Sequence, residues 1–133
     1  YIPYVTLIER YPMIRIIIAI VLSTLINLSA IAEDKYDKSL LIGDWCYKSI
    51  TKGSSGPKSI NTDWVFFDDG KVEFQSEWMR NNKSKTKYQF ENDRIKIPAM
   101  DRKYEVNKLT NSEMLLIEVR GKSKNLFIRG KCD

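Results

Sequence analysis

The chain has 133 residues, a net charge of +5, two cysteines and no histidine. The missing histidine excludes Ser-His-Asp and Cys-His catalysis and every imidazole metal site. The mild basic excess favours acidic partners weakly and makes no case for nucleic acid.

In chain order, residues 1–12 read as upstream sequence, because Met13 is the first residue suited to start translation. Residues 13–32 read as a secretory signal peptide: Arg15 supplies the positive region, Ile16 to Leu22 the apolar run, and Ala30-Ile31-Ala32 the small-residue cleavage site. As an uncleaved anchor the run is barely long enough, since a span needs about 20 apolar residues, and Ser23, Thr24, Asn27 and Ser29 weaken it further. Membrane attachment is therefore expected only through an uncleaved signal segment. The domain at 33–133 is expected to be periplasmic or secreted.

Glu33 to Ser39 is polar and reads as a loose lead-in, with room for a short helical turn at Tyr36 to Leu41. From Gly43 the pattern alternates with the period of a strand, Trp45 and Tyr47 on one face and Cys46 and Lys48 on the other. Thr51 to Asn61, with Gly53, Gly56 and Pro57, is the longest expected loop. Trp64 to Phe67 is an apolar strand. Asp68-Asp69-Gly70 is a turn, which explains the paired carboxylates without catalysis. Val72, Phe74 and Trp78 share one face of the next strand, and Met79 to Asn82 turns the chain back. Thr86, Tyr88 and Phe90 then alternate with Lys85, Lys87 and Gln89, and Glu91 to Arg94 is a tight turn. Ile95 and Ile97 form a short strand ended by Pro98. In the next strand Tyr104, Val106 and Lys108 share a face; Met114 to Val119 is a strand, and Gly121 to Asn125 a polar turn. Last, Leu126, Ile128, Gly130 and Cys132 alternate with Phe127, Arg129 and Lys131. About eight short strands with regular turn signals describe an all-β fold, a barrel or a sandwich.

Cys46 and Cys132 sit at opposite ends of this domain. In an oxidising compartment they are expected to form one disulfide, so the first and last core segments must lie side by side, as in a closed barrel. The spacing excludes a C-x-x-C redox motif.

Gly43-Asp44-Trp45, the run Trp64 to Gly70, Tyr88 to Ile95, Tyr104 to Thr110 and Leu126 to Arg129 follow one another in an order that resembles small bacterial lipocalin-like proteins, over roughly Leu41 to Lys131. The resemblance implies a small antiparallel up-and-down meander barrel. It also implies structural roles for Gly43, Trp45 and Arg129, the tryptophan packing at the closed end beside a basic residue of the last strand. The chain is shorter than typical lipocalins and has no room for their C-terminal helix.

Two functional readings follow. In the first, the domain is a non-catalytic binding protein for a hydrophobic or amphipathic small molecule, with Trp64, Phe66, Phe74, Trp78, Tyr88 and Tyr104 as the ligand-binding wall. The same rings can instead fill a narrow barrel, because an eight-stranded barrel either packs its interior or holds one small ligand. The second reading follows from filling: a rigid immunity or inhibitor protein that blocks a toxin or hydrolase through its loops, with Arg80, Lys83, Lys85, Lys122 and Lys124 as the partner-binding surface. The bland account of the basic hairpin is cross-strand pairing, Lys83 with Glu77, Lys85 with Gln75 and Lys87 with Glu73. Neither reading calls for a cofactor, a metal or nucleic acid.

Overall fold

Residues 33–76 and 84–133 are described by the computed structural model. The expected upstream residues and signal segment, Glu77, Trp78, the expected reversal at Met79–Asn82, Arg80 and Lys83 lie outside them.

The period-2 alternation yields nine strands: β1 (Gly43–Thr51), β2 (Lys58–Phe66), β3 (Lys71–Ser76), β4 (Ser84–Lys87), β5 (Gln89–Glu91), β6 (Arg94–Ile97), β7 (Arg102–Leu109), β8 (Glu113–Glu118) and β9 (Lys124–Arg129). They form one antiparallel sheet in the order β4-β3-β2-β1-β9-β8-β7-β6-β5. Its two end strands are sequence neighbours separated by Tyr88 alone, whose N–H donates to Gly70 O at 2.9 Å. The sheet is therefore an up-and-down barrel, nearly closed, and the ninth strand arises because Tyr88 interrupts one strand between its two neighbours. Pairing of β1 with β9 brings the first and last strands together, and Cys46 and Cys132 are joined in a disulfide, Cα to Cα 4.9 Å.

The inward face holds Trp45, Trp64, Phe66, Val72, Ile95, Ile97, Leu116 and Phe127 in one core. Two turns at one end follow their residue chemistry. Asn92 and Asp93 both take positive φ (52° and 53°), the conformation a two-residue hairpin turn needs. Gly70 takes φ 80° between β2 and β3.

Five expectations are corrected. The long loop shrinks to residues 52–57, because β1 runs to Thr51 and β2 already begins at Lys58. An irregularity between Tyr47 and Ser49 shifts β1 in both its ladders, so the simple alternation through Lys48 fails there. A second irregularity between Val106 and Lys108 turns Leu109, 4% exposed, into the core in place of Lys108. The β3–β4 register sets Lys85 opposite Glu73 and Lys87 opposite Lys71, two residues from the expected pairing, because Tyr88 anchors the strand to the β2–β3 turn. The lead-in is not loose: Asp93 accepts the N–H groups of Lys35 and Tyr36 at 3.0 Å each, and Tyr36 donates its hydroxyl to Asn107 O at 2.6 Å. A 3-10 turn at Lys38–Leu41 then drops Leu41, fully buried, onto the barrel end.

Candidate functional site

The barrel has a sealed end and a polar end. At the sealed end Trp45 is fully buried and its indole N–H donates to Leu41 O at 2.8 Å. The Arg129 guanidinium lies 3.9 Å over the Trp45 ring. It donates to Ile42 O at 2.8 Å, to Asn111 O at 3.1 Å and to Leu40 O. A guanidinium suits this place because its planar fork reaches several carbonyls while its face stacks on the indole. Gly43 has φ +122°, and a Cβ there would stand 3.0 Å from Arg129 Nη1. Each of the three residues thus has a physical reason to occupy its position in the sealed end.

Next along the axis comes an aromatic layer. Trp64 meets Phe74 at 4.7 Å, Phe127 at 4.9 Å, Tyr47 at 5.7 Å and Tyr104 at 6.0 Å between ring centroids, all edge-to-face. Edge-to-face packing sets the positive ring edge on the negative face of the next ring. Of the expected wall residues, Trp64, Phe74 and Tyr104 therefore come together. Phe66 and Tyr88 pack on each other at 5.1 Å nearer the sealed end, where Tyr88 donates its hydroxyl to Phe67 O at 3.2 Å. Trp78 lies outside the described residues.

Above this layer sits a polar network in which sequence reasoning saw only a turn. Asn125 and Ser123 are 3% and 2% exposed. The Asn125 amide donates to Leu116 O at 3.1 Å and Ser123 O at 3.0 Å, and its oxygen accepts the Tyr47 hydroxyl. Ser123 Oγ donates to Glu118, which also pairs with Arg102 at 3.2 Å. Burial, then the nearby Tyr104 hydroxyl, pushes the Tyr47 hydroxyl up to about 12, and burial raises Tyr104 as well. Both hydroxyls are therefore protonated at ordinary pH. The clue in the sequence was the alternation Ser123, Asn125, Phe127, Arg129, which continues the inward face of β9 through the supposed turn.

On the β1–β2 side of this half, Tyr47, Ile50, Ile60 and Thr62 are only half-buried. At the sealed end, by contrast, Leu41, Trp45 and Met114 are fully buried.

Among the described residues, the expected partner-binding lysines do not gather at one spot. The Lys85 ammonium lies 3.9 Å from the Phe67 ring centroid on the outer surface. Lys122, at φ 56°, and Lys124 belong to the β8–β9 turn and the start of β9, at the polar end. Arg80 and Lys83 lie outside the described residues. Cys46, Cys132 and Asp63 offer ligand atoms within 4.8 Å of one another. Both sulfurs are engaged in the disulfide, however, and the Asp63 carboxylate accepts the Cys132 N–H at 2.6 Å.

No family model matches the sequence, and no curated protein does. Two solved structures are similar. One is a crystal structure of an uncharacterized protein from Bacteroides eggerthii DSM 20697, with TM-score 0.57 and 15% identity over 68% of this chain and 99% of that one. The other is a lipocalin-like protein from Bacteroides uniformis ATCC 8492, with TM-score 0.56 and 14% identity over the same shares. At such identities the likeness concerns the fold, and the chain folds as a lipocalin-like β-barrel.

Proposed function

We propose that the protein is an exported, non-catalytic binding protein that holds an amphipathic small molecule in the polar half of its barrel. The observation that carries the reading is the change of interior along the axis. Around Trp45 the inward residues are sealed, whereas beyond Trp64 the inward residues Tyr47, Ile50, Ile60 and Thr62 remain half-buried beside the hydroxyl and amide groups of Tyr47 and Asn125. An aromatic floor with a few fixed polar groups is the usual make-up of a small-molecule site. Trp64 and Phe74 form that floor, with Tyr104 at its side. Export is supported by the Met13–Ala32 segment and by the disulfide.

The mutual contact of the rings around Trp64 favours a second reading, in which the interior is filled and the barrel is a rigid scaffold whose loops block a toxin or hydrolase. A native mass spectrum of the protein from its host's extracytoplasmic fraction separates the two. An additional few hundred daltons, lost on denaturation, is the expected result. A bare mass with a second protein co-eluting overturns the small-molecule reading in favour of the scaffold.

A further inference from the structure

We propose that the ligand is anionic, an apolar body carrying a carboxylate or phosphate, with the charged group held at the polar rim of the barrel. The inference rests on the small-molecule reading above and adds the chemical class. Three described connections meet at this end: the β1–β2 loop, the β6–β7 turn and the β8–β9 turn. They and the residues that flank them carry Lys52, Lys58, Lys103, Lys122 and Lys124, all exposed, together with Arg102 and Arg120. Among the described residues the acidic groups here are Glu118 and Asp101, and the two arginines already engage them: Arg102 pairs with Glu118 at 3.2 Å and Arg120 with Asp101 at 3.0 Å. The five lysines enter none of the ion pairs among the described residues.

The opposite end carries mixed charge: Asp68 and Asp69 between β2 and β3, and Asp93 between β5 and β6 beside Asp34 and Asp37 of the lead-in, have Lys35, Lys38 and Lys71 among them, Lys71 pairing with Asp69 at 3.9 Å. The field therefore rises toward the end where the interior is half-buried and polar, and low-dielectric walls focus such a field on the opening. Lys58 shares the inward register of Ile60, Thr62 and Trp64, so the strand that supplies the aromatic floor also places a cation at the rim. An anion is recognised by this arrangement and an ammonium is repelled by it.

The test uses four probes with one twelve-carbon tail: dodecanoate, dodecyl phosphate, dodecanol and dodecyltrimethylammonium, titrated against the tryptophan fluorescence of the intact protein. Both anions are expected to bind about tenfold tighter than the alcohol, and the cation weakest. The advantage over the alcohol should shrink between about 0.01 M and about 0.15 M salt, as the screening length falls from about 30 Å to about 8 Å. It should vanish in the triple variant Lys52→Glu, Lys58→Glu, Lys124→Glu. Tighter dodecanoate points to a free fatty acid as the source, and tighter dodecyl phosphate to a phosphate ester. Equal binding of alcohol and anions overturns the anionic assignment and leaves the small-molecule reading standing. Binding of none of the four overturns both. An anion preference that survives the triple variant overturns the placement at the rim.

Discussion

Arg129 shows how one side chain can organise a barrel end. It stacks on Trp45 and donates to the partly buried carbonyls of Ile42 and Leu40 and to the exposed carbonyl of Asn111, so its removal leaves two partly buried acceptors unpaired. Each such acceptor costs about 1–3 kcal/mol. We expect Arg129→Ala to lower the unfolding free energy by about 3 kcal/mol in urea denaturation, and Arg129→Lys to recover only part of it, because an ammonium lacks the fork and the stacking face. This motif was legible only through the resemblance to lipocalin-like proteins, which implies that the tryptophan of Gly43-Asp44-Trp45 packs at the closed end beside a basic residue of the last strand. Asn125 was not legible: a Gly-Lys-Ser-Lys-Asn run has the composition of a loop, and only the continuation of β9 turns Asn125 inward to meet Tyr47. Tyr47 carries a pH prediction. Its hydroxyl titrates at about 12 in the fold against an ordinary 10, because burial and then the neighbouring Tyr104 disfavour the phenolate. The fold thus retains a proton that the unfolded chain releases first. The stabilisation is complete below pH 10 and is lost as pH rises through about 12. Unfolding free energy should fall across that window, and Tyr47→Phe should flatten the fall while costing about 1 kcal/mol at neutral pH for the lost hydrogen bond.

Strand existence was readable from alternation, whereas the faces beyond each bulge were not. A bulge inserts one residue and exchanges inward for outward positions, and no local composition marks Lys48 or Asn107 as the site of one. The register of β3 against β4 was misread for a related reason. Side-chain charge favours pairing Lys87 with Glu73, yet the backbone tie from Tyr88 to Gly70 decides, and it leaves Lys87 opposite Lys71. Like charges opposed on an exposed ladder cost a few tenths of a kcal/mol to about 1 kcal/mol. Lys87→Glu is therefore expected to raise stability by up to about that amount; a loss of stability would speak against the pairing. The lead-in was misread because its anchor lies in another element. Asp93 sits in a positive-φ turn and captures the N–H groups of Lys35 and Tyr36, while its own N–H donates to Asp34 at 2.8 Å. Asp93→Ala loses both acceptors and forces alanine into the left-handed region, for a cost of about 2 kcal/mol. Hydrogen exchange should then show fast amides at Lys35 and Tyr36. Asp93→Asn, which tolerates the turn, should protect them better than alanine does.

The molecule as a whole is closed twice, once by the β1–β9 ladder and once by a covalent bond. The disulfide joins residues 86 positions apart. In the chain-entropy account a loop of that size is worth about 4–5 kcal/mol, a large share of the roughly 5–15 kcal/mol that holds a typical domain. Few other ties hold the tail after β9: the N–H of Gly130 donates to Asp44 O at 2.8 Å, that of Cys132 to Asp63 at 2.6 Å, and the Asn61 amide to Asp133 O at 3.3 Å. The bond acts mainly on the unfolded chain, which it denies most of its extended conformations. The fold in the native state therefore needs little adjustment when the bond is absent. The double variant Cys46→Ala, Cys132→Ala is accordingly expected to keep the barrel, with an unchanged far-ultraviolet spectrum in the cold, and to melt roughly 20 °C lower, at about 4–8 °C per kcal/mol for a domain of this size. The same shift should follow from adding a thiol reductant to the parent protein, and the reductant should do nothing to the variant. A variant that melts with the parent would mean that the β1–β9 ladder closes the barrel unaided and that the unfolded chain already holds its ends together. Loss of the β spectrum in the cold would mean instead that the last strand cannot hold its register without the covalent tie. The bond also bears on binding: β1 and β9 carry Tyr47 and Asn125, so a barrel that frays at this seam loses the polar network above Trp64 first. Reduction should therefore weaken ligand binding at temperatures well below the melting point, which tryptophan-monitored titration with and without reductant measures directly.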